Sequence, residues 1–311
     1  MENNITQRDV FWSKIYEMAK INNDIIVVSA DMGAPALDIF RINIPSQFIN
    51  VGIAEQNGIL ISSGIALTGK RVFAYAIAPF ITFRCLEQIR VNNSIMNIPI
   101  TIVGVGAGFG YQDSGPTHHI IEDIAVMRAF PNLVINSISD SVMSEAVAEM
   151  SCSMNKTNYV RLDRIILPTL YNKNTDFSKG LEVLKRGKSY IIATGSMTHV
   201  ALEACEILNK KGIDVGVIDL YRFPVEVPVL LEAVKDAEKL ITLEEHFLPG
   251  GLGSAVCEVL QDNDLLLPVK RIGIDINKGY CYEYGGRDCI RQYYGIDVKS
   301  VCNTASQFLG R

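Results

Sequence analysis

Residues 98–132 read IPITIVGVGAGFGYQDSGPTHHIIEDIAVMRAFPN. A β-branched apolar run opens this stretch and four glycines follow at 104, 106, 108 and 110. Gly115-Pro116-Thr117 then makes a turn, and a helical pattern begins after His118-His119. An apolar run without polar alternation suits a parallel strand buried on both faces. Outward from it, DIIVVSAD (24–31), RVFAYAI (71–77), LVINSIS (133–139) and NYVRLD (158–163) are strands of the same kind. Between them, 8–20, 55–68, 83–96 and 140–153 have helical spacing or length. The alternation predicts an α/β unit built on a central sheet.

The segment LPTLYNKNTDFSKG (167–180) is polar, carries Pro168 and Gly180, and lacks periodicity, so it reads as a linker. A second α/β unit follows. SYIIATGS (189–196) is a strand, and MTHVALEACEILNKKG (197–212) is a helix closed by two lysines and Gly212. IDVGVIDLYRF (213–223) and KLITLEEHF (239–247) are further strands, with a helix near 226–237. PGGLGSAVCEVLQDN (249–263) is a glycine-rich turn entering a helix. The expected fold class is α/β with two domains, 1–170 and 180–311, each with a mostly parallel central sheet flanked by helices.

Composition narrows the class of function. Of 311 residues, 48% are apolar and 20% charged, which fits a globular protein with a large core. The net charge of −5 carries no nucleic-acid footprint. No apolar run reaches the roughly 18 residues needed to span a bilayer. The start, MENNITQRDVFW, is polar and reads as neither a signal nor a transit peptide. Cysteines 85, 152, 205, 257, 281, 289 and 302 are dispersed and form no C-x-x-C pair, so neither a disulfide frame nor a metal cluster is expected. His199 and His246 lie outside any ligand-spaced motif, which argues against zinc. A cytoplasmic location is the expectation.

Two stretches carry candidate chemistry. In NVGIAEQNGILISSGIALTG (50–69), Glu55 is a single acid with no lysine or arginine within ten residues. An apolar setting would raise its pKa and let it share a proton near neutrality. A helix-terminal acid favoured by the helix dipole is the plainer account. Gly58, Ser62 and Ala66 follow at four-residue steps, a small face suited to a tight core or to a subunit contact. In the second stretch, the glycine run suggests close approach to a ligand, although it lacks the dinucleotide-binding spacing. The His118-His119 pair offers donors to alkoxide or carbonyl oxygens. Solvated loop histidines ahead of a helix capped by Glu122 and Asp123 are the alternative.

VGIAEQNG and SGPTHHIIEDIAVMRAFPN, in this order and about sixty residues apart, resemble the transketolase family. The likeness is to the C-terminal half of transketolase, and to the separate C-terminal subunit of split transketolases. It spans a pyrimidine-binding domain and a C-terminal domain, the latter less closely. The resemblance implies transfer of a two-carbon ketol unit with thiamine diphosphate as cofactor. It gives Glu55 the role of the glutamate that hydrogen-bonds the cofactor's pyrimidine ring. In APFITFRCLEQI (78–89), Phe83 would stack on that ring with Phe80 beside it, where ordinary core packing is the alternative. His118 would face substrate hydroxyls, with His119 a further candidate. Arg164, or else Arg161, would grip a substrate phosphate, unless either only makes a surface salt bridge.

Departures from the family pattern are specific. Ser114 stands where transketolases usually carry an aspartate that contacts the sugar. Gly106 replaces a frequent histidine, and Pro35 a frequent phosphate-binding serine. An acceptor other than the usual pentose and tetrose phosphates is therefore expected. No Gly-Asp-Gly occurs in the chain. The resemblance then implies that an N-terminal partner subunit supplies the diphosphate and Mg²⁺ site, in an α2β2 heterotetramer. Competing readings are the beta subunit of a 2-oxoacid dehydrogenase, a deoxyxylulose-phosphate synthase-like enzyme, and a non-catalytic module of the same fold. An NAD-binding protein is disfavoured, because no G-x-G-x-x-G follows a first strand.

Overall fold

The computed structural model describes residues 5–31 and 35–310. The first half supplies six strands in chain order: β1 (Ile25–Ser29), β2 (Phe48–Asn50), β3 (Arg71–Ile77), β4 (Thr101–Val105), β5 (Leu133–Ser137) and β6 (Thr157–Leu162). The second half supplies β7 (Leu181–Lys185), β8 (Ser189–Ala193), β9 (Val215–Leu220), β10 (Arg222–Phe223), β11 (Leu240–Phe247) and β12 (Val269–Ile274). A seven-stranded sheet runs β10-β5-β6-β4-β3-β1-β2, and a five-stranded sheet runs β12-β11-β8-β9-β7. Every pairing is parallel except β10 on β5 and β7 on β9. This is the α/β architecture read from the apolar runs.

Both faces of each sheet are covered, and this is why the central strands are apolar throughout. On one face of the first sheet, the helix Gln7–Ala19 lays Phe11, Trp12 and Ile15 beside Phe73 and Tyr75. The rings of Trp12 and Tyr75 meet edge-on at 5.2 Å between centroids. Thr6 caps this helix by accepting from the Asp9 amide. The other face is closed by Ile59, Ile81, Cys85, Ile89, Ile124 and Met127. No helix among the described residues is long and apolar enough to cross a membrane.

Two local expectations are corrected, and one left open is decided. The run 213–223 is not one strand. At Tyr221 the chain leaves the second sheet, and β10 pairs antiparallel with β5 of the first, Arg222 opposite Asn136 and Phe223 opposite Ile135. Tyr221 and Arg222 both donate their amides to Gly180 O at 3.1 Å, which turns the chain. The segment 83–96 is not a regular helix but a 3₁₀ turn (Phe83–Cys85), one α-turn (Leu86–Gln88) and a π-helical stretch (Ile89–Ile95). Buried Asn93 anchors the wide turn by donating to Ser63 Oγ and Ile98 O. Lastly, Gly58 and Ser62 face the chain's own interior. A Cβ on Gly58 would press on Val51 at 3.3 Å. The exposed side of this helix carries Leu60, in line with Ile53 before it and Leu67 after it.

The glycine run also packs against the protein itself rather than standing open. A Cβ on Gly104 would meet Ala78 and Tyr159, and one on Gly108 would collide with the Glu245 carboxylate. At Gly106 the backbone is left-handed (φ 96°), and a Cβ would strike the Tyr111 ring. The histidine absent from position 106 therefore has no room here: Tyr111 fills that space.

Candidate active site

Glu55 is the first residue of the helix Glu55–Ala66, and it is only 4% exposed. Its surroundings differ from the apolar setting read in the sequence. Arg84 Nη1 donates to Glu55 Oε2 at 2.7 Å. The two residues are 29 positions apart, so the pairing is visible only once the 3₁₀ turn at 83–85 brings Arg84 back over the helix start. The acid is buried but paired. Gln56 fixes the same turn by donating to Arg84 O at 2.8 Å.

From this pair a continuous row of contacts leads across the site. The Arg84 guanidinium lies 4.3 Å from the centre of the Phe80 ring. Phe80 meets the His118 ring edge-on at 5.1 Å, and His118 lies 6.0 Å from Tyr111. Arg164 lies over Tyr111 at 4.7 Å. Glu55, Phe80, His118 and Arg164 are thus brought together, and the sequence reading missed the two links between them, Arg84 and Tyr111.

Phe80 and Phe83 line a cleft of about 450 Å³ together with Pro79, Pro116, Thr117, His119, Glu122, Tyr280 and Tyr282. His119 is buried, and its ring meets Phe109 edge-on at 5.1 Å. Burial lowers its pKa and favours the neutral imidazole. Its Nε2 has no hydrogen-bond partner among the described residues. Ser114 is exposed on the same loop.

Arg161 is not a surface arginine. It is buried and donates through Nε to Asp123 Oδ2 at 2.7 Å, with Tyr159 Oη donating to the same oxygen at 2.8 Å. That leaves Arg164 exposed beside Tyr111. Arg8, in the first helix, is neutralised locally: its guanidinium pairs with Asp9 Oδ1 through Nη2 at 2.8 Å and Nε at 2.9 Å.

The C-terminal half holds this loop in place. Glu245 accepts the Phe109 amide at 3.0 Å. It also accepts from Arg287 Nη2 at 2.5 Å and from Arg291 Nε at 2.7 Å. Arg287 reaches on to Asp163 Oδ1 (2.9 Å), Ser196 Oγ (2.9 Å) and Ala107 O (3.3 Å). Despite burial, the two arginines hold the Glu245 carboxyl well below the usual carboxylate range. Next along the chain, His246 Nε2 accepts the Ala125 amide at 3.3 Å, fixing the helix that follows the histidine pair. The consecutive residues Glu245 and His246 therefore position both ends of the His118-His119 loop.

Two mostly parallel sheets, with a buried glutamate linked through Arg84 and Phe80 to a histidine loop, define a class of two-domain α/β enzyme. The family model of the transketolase pyrimidine binding domain matches residues 3–169, and that of the transketolase C-terminal domain matches residues 179–301. The chain belongs to the transketolase family. It is 35% identical to one of the subunits of the apulose-4-phosphate transketolase of Phocaeicola vulgatus, over 99% of each chain. It is 28% identical to the 6-deoxy-6-sulfo-D-fructose transketolase subunit SqwH of a Clostridium species, over 98% of this chain and 94% of that one. A solved structure described as split gene transketolase, inactive beta4 tetramer, superposes with a TM-score of 0.86 at 30% identity, over 99% of this chain and 100% of that one.

Proposed function

We propose that this chain is the pyrimidine-binding half of a two-chain, thiamine diphosphate-dependent transketolase, moving a two-carbon ketol unit from a ketose to an aldose. The carrying observation is the row of contacts Glu55–Arg84–Phe80–His118–Tyr111–Arg164, which meets the cleft at Phe80. The residues fit the cofactor's flat ring: a buried carboxylate at a helix start adjoins an apolar floor of Pro79, Phe80 and Phe83. Arg84 takes Glu55 Oε2, which leaves Oε1 to hold a ring nitrogen. Phe83 would stack on the ring, since the Phe80 face is already covered by Arg84. When bound, the cofactor supplies the electron sink for breaking a carbon–carbon bond. His118 and neutral His119 would hold sugar hydroxyls while that bond changes. The division into domains 1–170 and 180–311 belongs to the same proposal.

The diphosphate and Mg²⁺ are assigned to an N-terminal subunit, in a cytoplasmic α2β2 heterotetramer of carbohydrate metabolism. The exposed row Ile53, Leu60 and Leu67 beside Glu55 is the face assigned to that subunit. Ketol transfer should be absent from this chain alone and appear on titration with the partner, and Leu60→Asp should shift the titration to higher partner concentration. Robust transfer by the lone chain would defeat the two-chain reading.

Exposed Arg164, held over Tyr111, supports a substrate with an anionic terminus, which the missing serine and histidine ligands alone did not suggest. Two relatives are named for a sugar phosphate and a sulfo sugar. Charge-assisted bonds to such a group are worth about 1.5–3 kcal/mol each. Arg164→Met should therefore raise KM for xylulose 5-phosphate by about ten- to a hundredfold, and leave KM for unphosphorylated xylulose nearly unchanged. Equal effects on both sugars would remove the phosphate from this site.

A further inference from the structure

The strap Gly279–Gly286, GYCYEYGG, belongs to the C-terminal half of the chain but borders the cleft of the first half. Cys281 is 3% exposed and packs in the second core, anchoring the strap, whereas Tyr280, Tyr282, Glu283 and Tyr284 are exposed. Both ends of the strap are pinned. Tyr294 Oη donates to Gly279 O at 2.7 Å, and the Arg287 amide donates to Gln112 Oε1 at 2.7 Å.

Tyr280 reaches across to the first half, donating from Oη to Glu122 Oε1 at 2.6 Å. The other oxygen, Glu122 Oε2, accepts the Ile121 amide at 2.9 Å. The Tyr280 ring is braced edge-on against Phe247 at 5.6 Å. Tyr280 and Tyr282 then line the same cavity as Phe80, Phe83, Thr117 and His119. Having given its proton to Glu122, Tyr280 Oη keeps lone pairs that can accept from a ligand hydroxyl. Aromatic faces joined to a few fixed polar groups suit a hydroxylated carbon chain.

We propose that Tyr280 and Tyr282 form the sugar-contacting wall of the cleft and set which polyhydroxylated chain it accepts. The inference rests on the ketol-transfer reading and adds residues from the C-terminal half to the substrate site. They contact the sugar, not the pyrimidine. Their loss should therefore change sugar affinity and KM without changing cofactor affinity.

The test uses the assembled two-chain enzyme with Tyr280→Phe, which removes only the hydroxyl, and with Tyr282→Ala. Calorimetric affinity for fructose 6-phosphate, and its KM, should weaken by about tenfold in each. The Kd for thiamine diphosphate, the affinity for the partner subunit and kcat should stay within about twofold. Unchanged sugar affinity in both variants overturns the inference, as does a matching loss of cofactor or partner binding, which would assign the strap to assembly. Ketol transfer by the parent complex, measured alongside, separates the two ideas. If the parent complex transfers no ketol unit, the ketol-transfer reading falls; if it does while the tyrosine variants bind sugar as the parent does, only the role of the strap falls.

Discussion

Glu55→Gln in the assembled enzyme is expected to lower kcat for ketol transfer by about a hundredfold or more, the usual range for a lost acid–base group. Glutamine keeps the shape of the side chain but cannot carry the charge that Arg84 now meets at 2.7 Å. Nor can its amide stand in for a carboxylate that accepts and returns a proton. Folding should tolerate the change, because the Arg84 side chain is 44% exposed and water can solvate its guanidinium. The check is steady-state turnover at saturating cofactor, with partner affinity and thermal midpoint measured on the same preparation. Turnover within about tenfold of the parent, at normal assembly, would remove Glu55 from the chemistry.

Arg287→Met is expected to produce the largest loss of stability. The guanidinium holds Glu245, Asp163, Ser196 and the Ala107 carbonyl in an interior only a few per cent exposed. Removing one partner of a buried pair typically costs about 3–5 kcal/mol, because it leaves an uncompensated charge. For a chain of this size, that lowers the thermal midpoint by roughly 10 °C. The pH dependence has a defined sign. The Glu245 carboxyl is held below its unfolded value, so it stabilises the fold above the ordinary carboxylate range and ceases to do so as acid protonates it. The parent should therefore lose stability on acidification. In Arg287→Met this acid loss should shrink, because the cation that favours the ionised form is gone. Melting curves between pH 7 and pH 4 compare the two; parallel curves would mean that the network contributes nothing net.

The sheet interiors were legible because their strands are buried on both faces and leave unbroken β-branched runs, as in IIVVS and VFAYAI. Shorter pieces were not. β2 and β10 have three and two residues, too few for any period, and tertiary pairing alone defines them. Beyond residue 263 the sequence reading assigns nothing, although β12 and the helices Arg287–Tyr294 and Val298–Leu309 lie there. At the candidate site, Glu55 and the histidine pair stood out because their residue types are odd in their local context. Arg84 and Tyr111 did not, since each gains its meaning from a neighbour distant in sequence. Glu245 and Arg287 were hidden for the same reason: EEH in a strand and GGRD before a helix look ordinary until the fold joins them, 42 positions apart, in one network.

The short strand β10 has a consequence for how such a chain can be divided. The two family domains meet between residues 169 and 179, which invites a cut there. Yet the edge of the first sheet is closed by Arg222 and Phe223, from well beyond that point. A piece ending near residue 175 would leave β5 with an open row of amides and carbonyls, a template for pairing with another molecule. Its glycine run would also lose the acid that holds Phe109. The two halves are thus separable as units of ancestry and inseparable as units of folding.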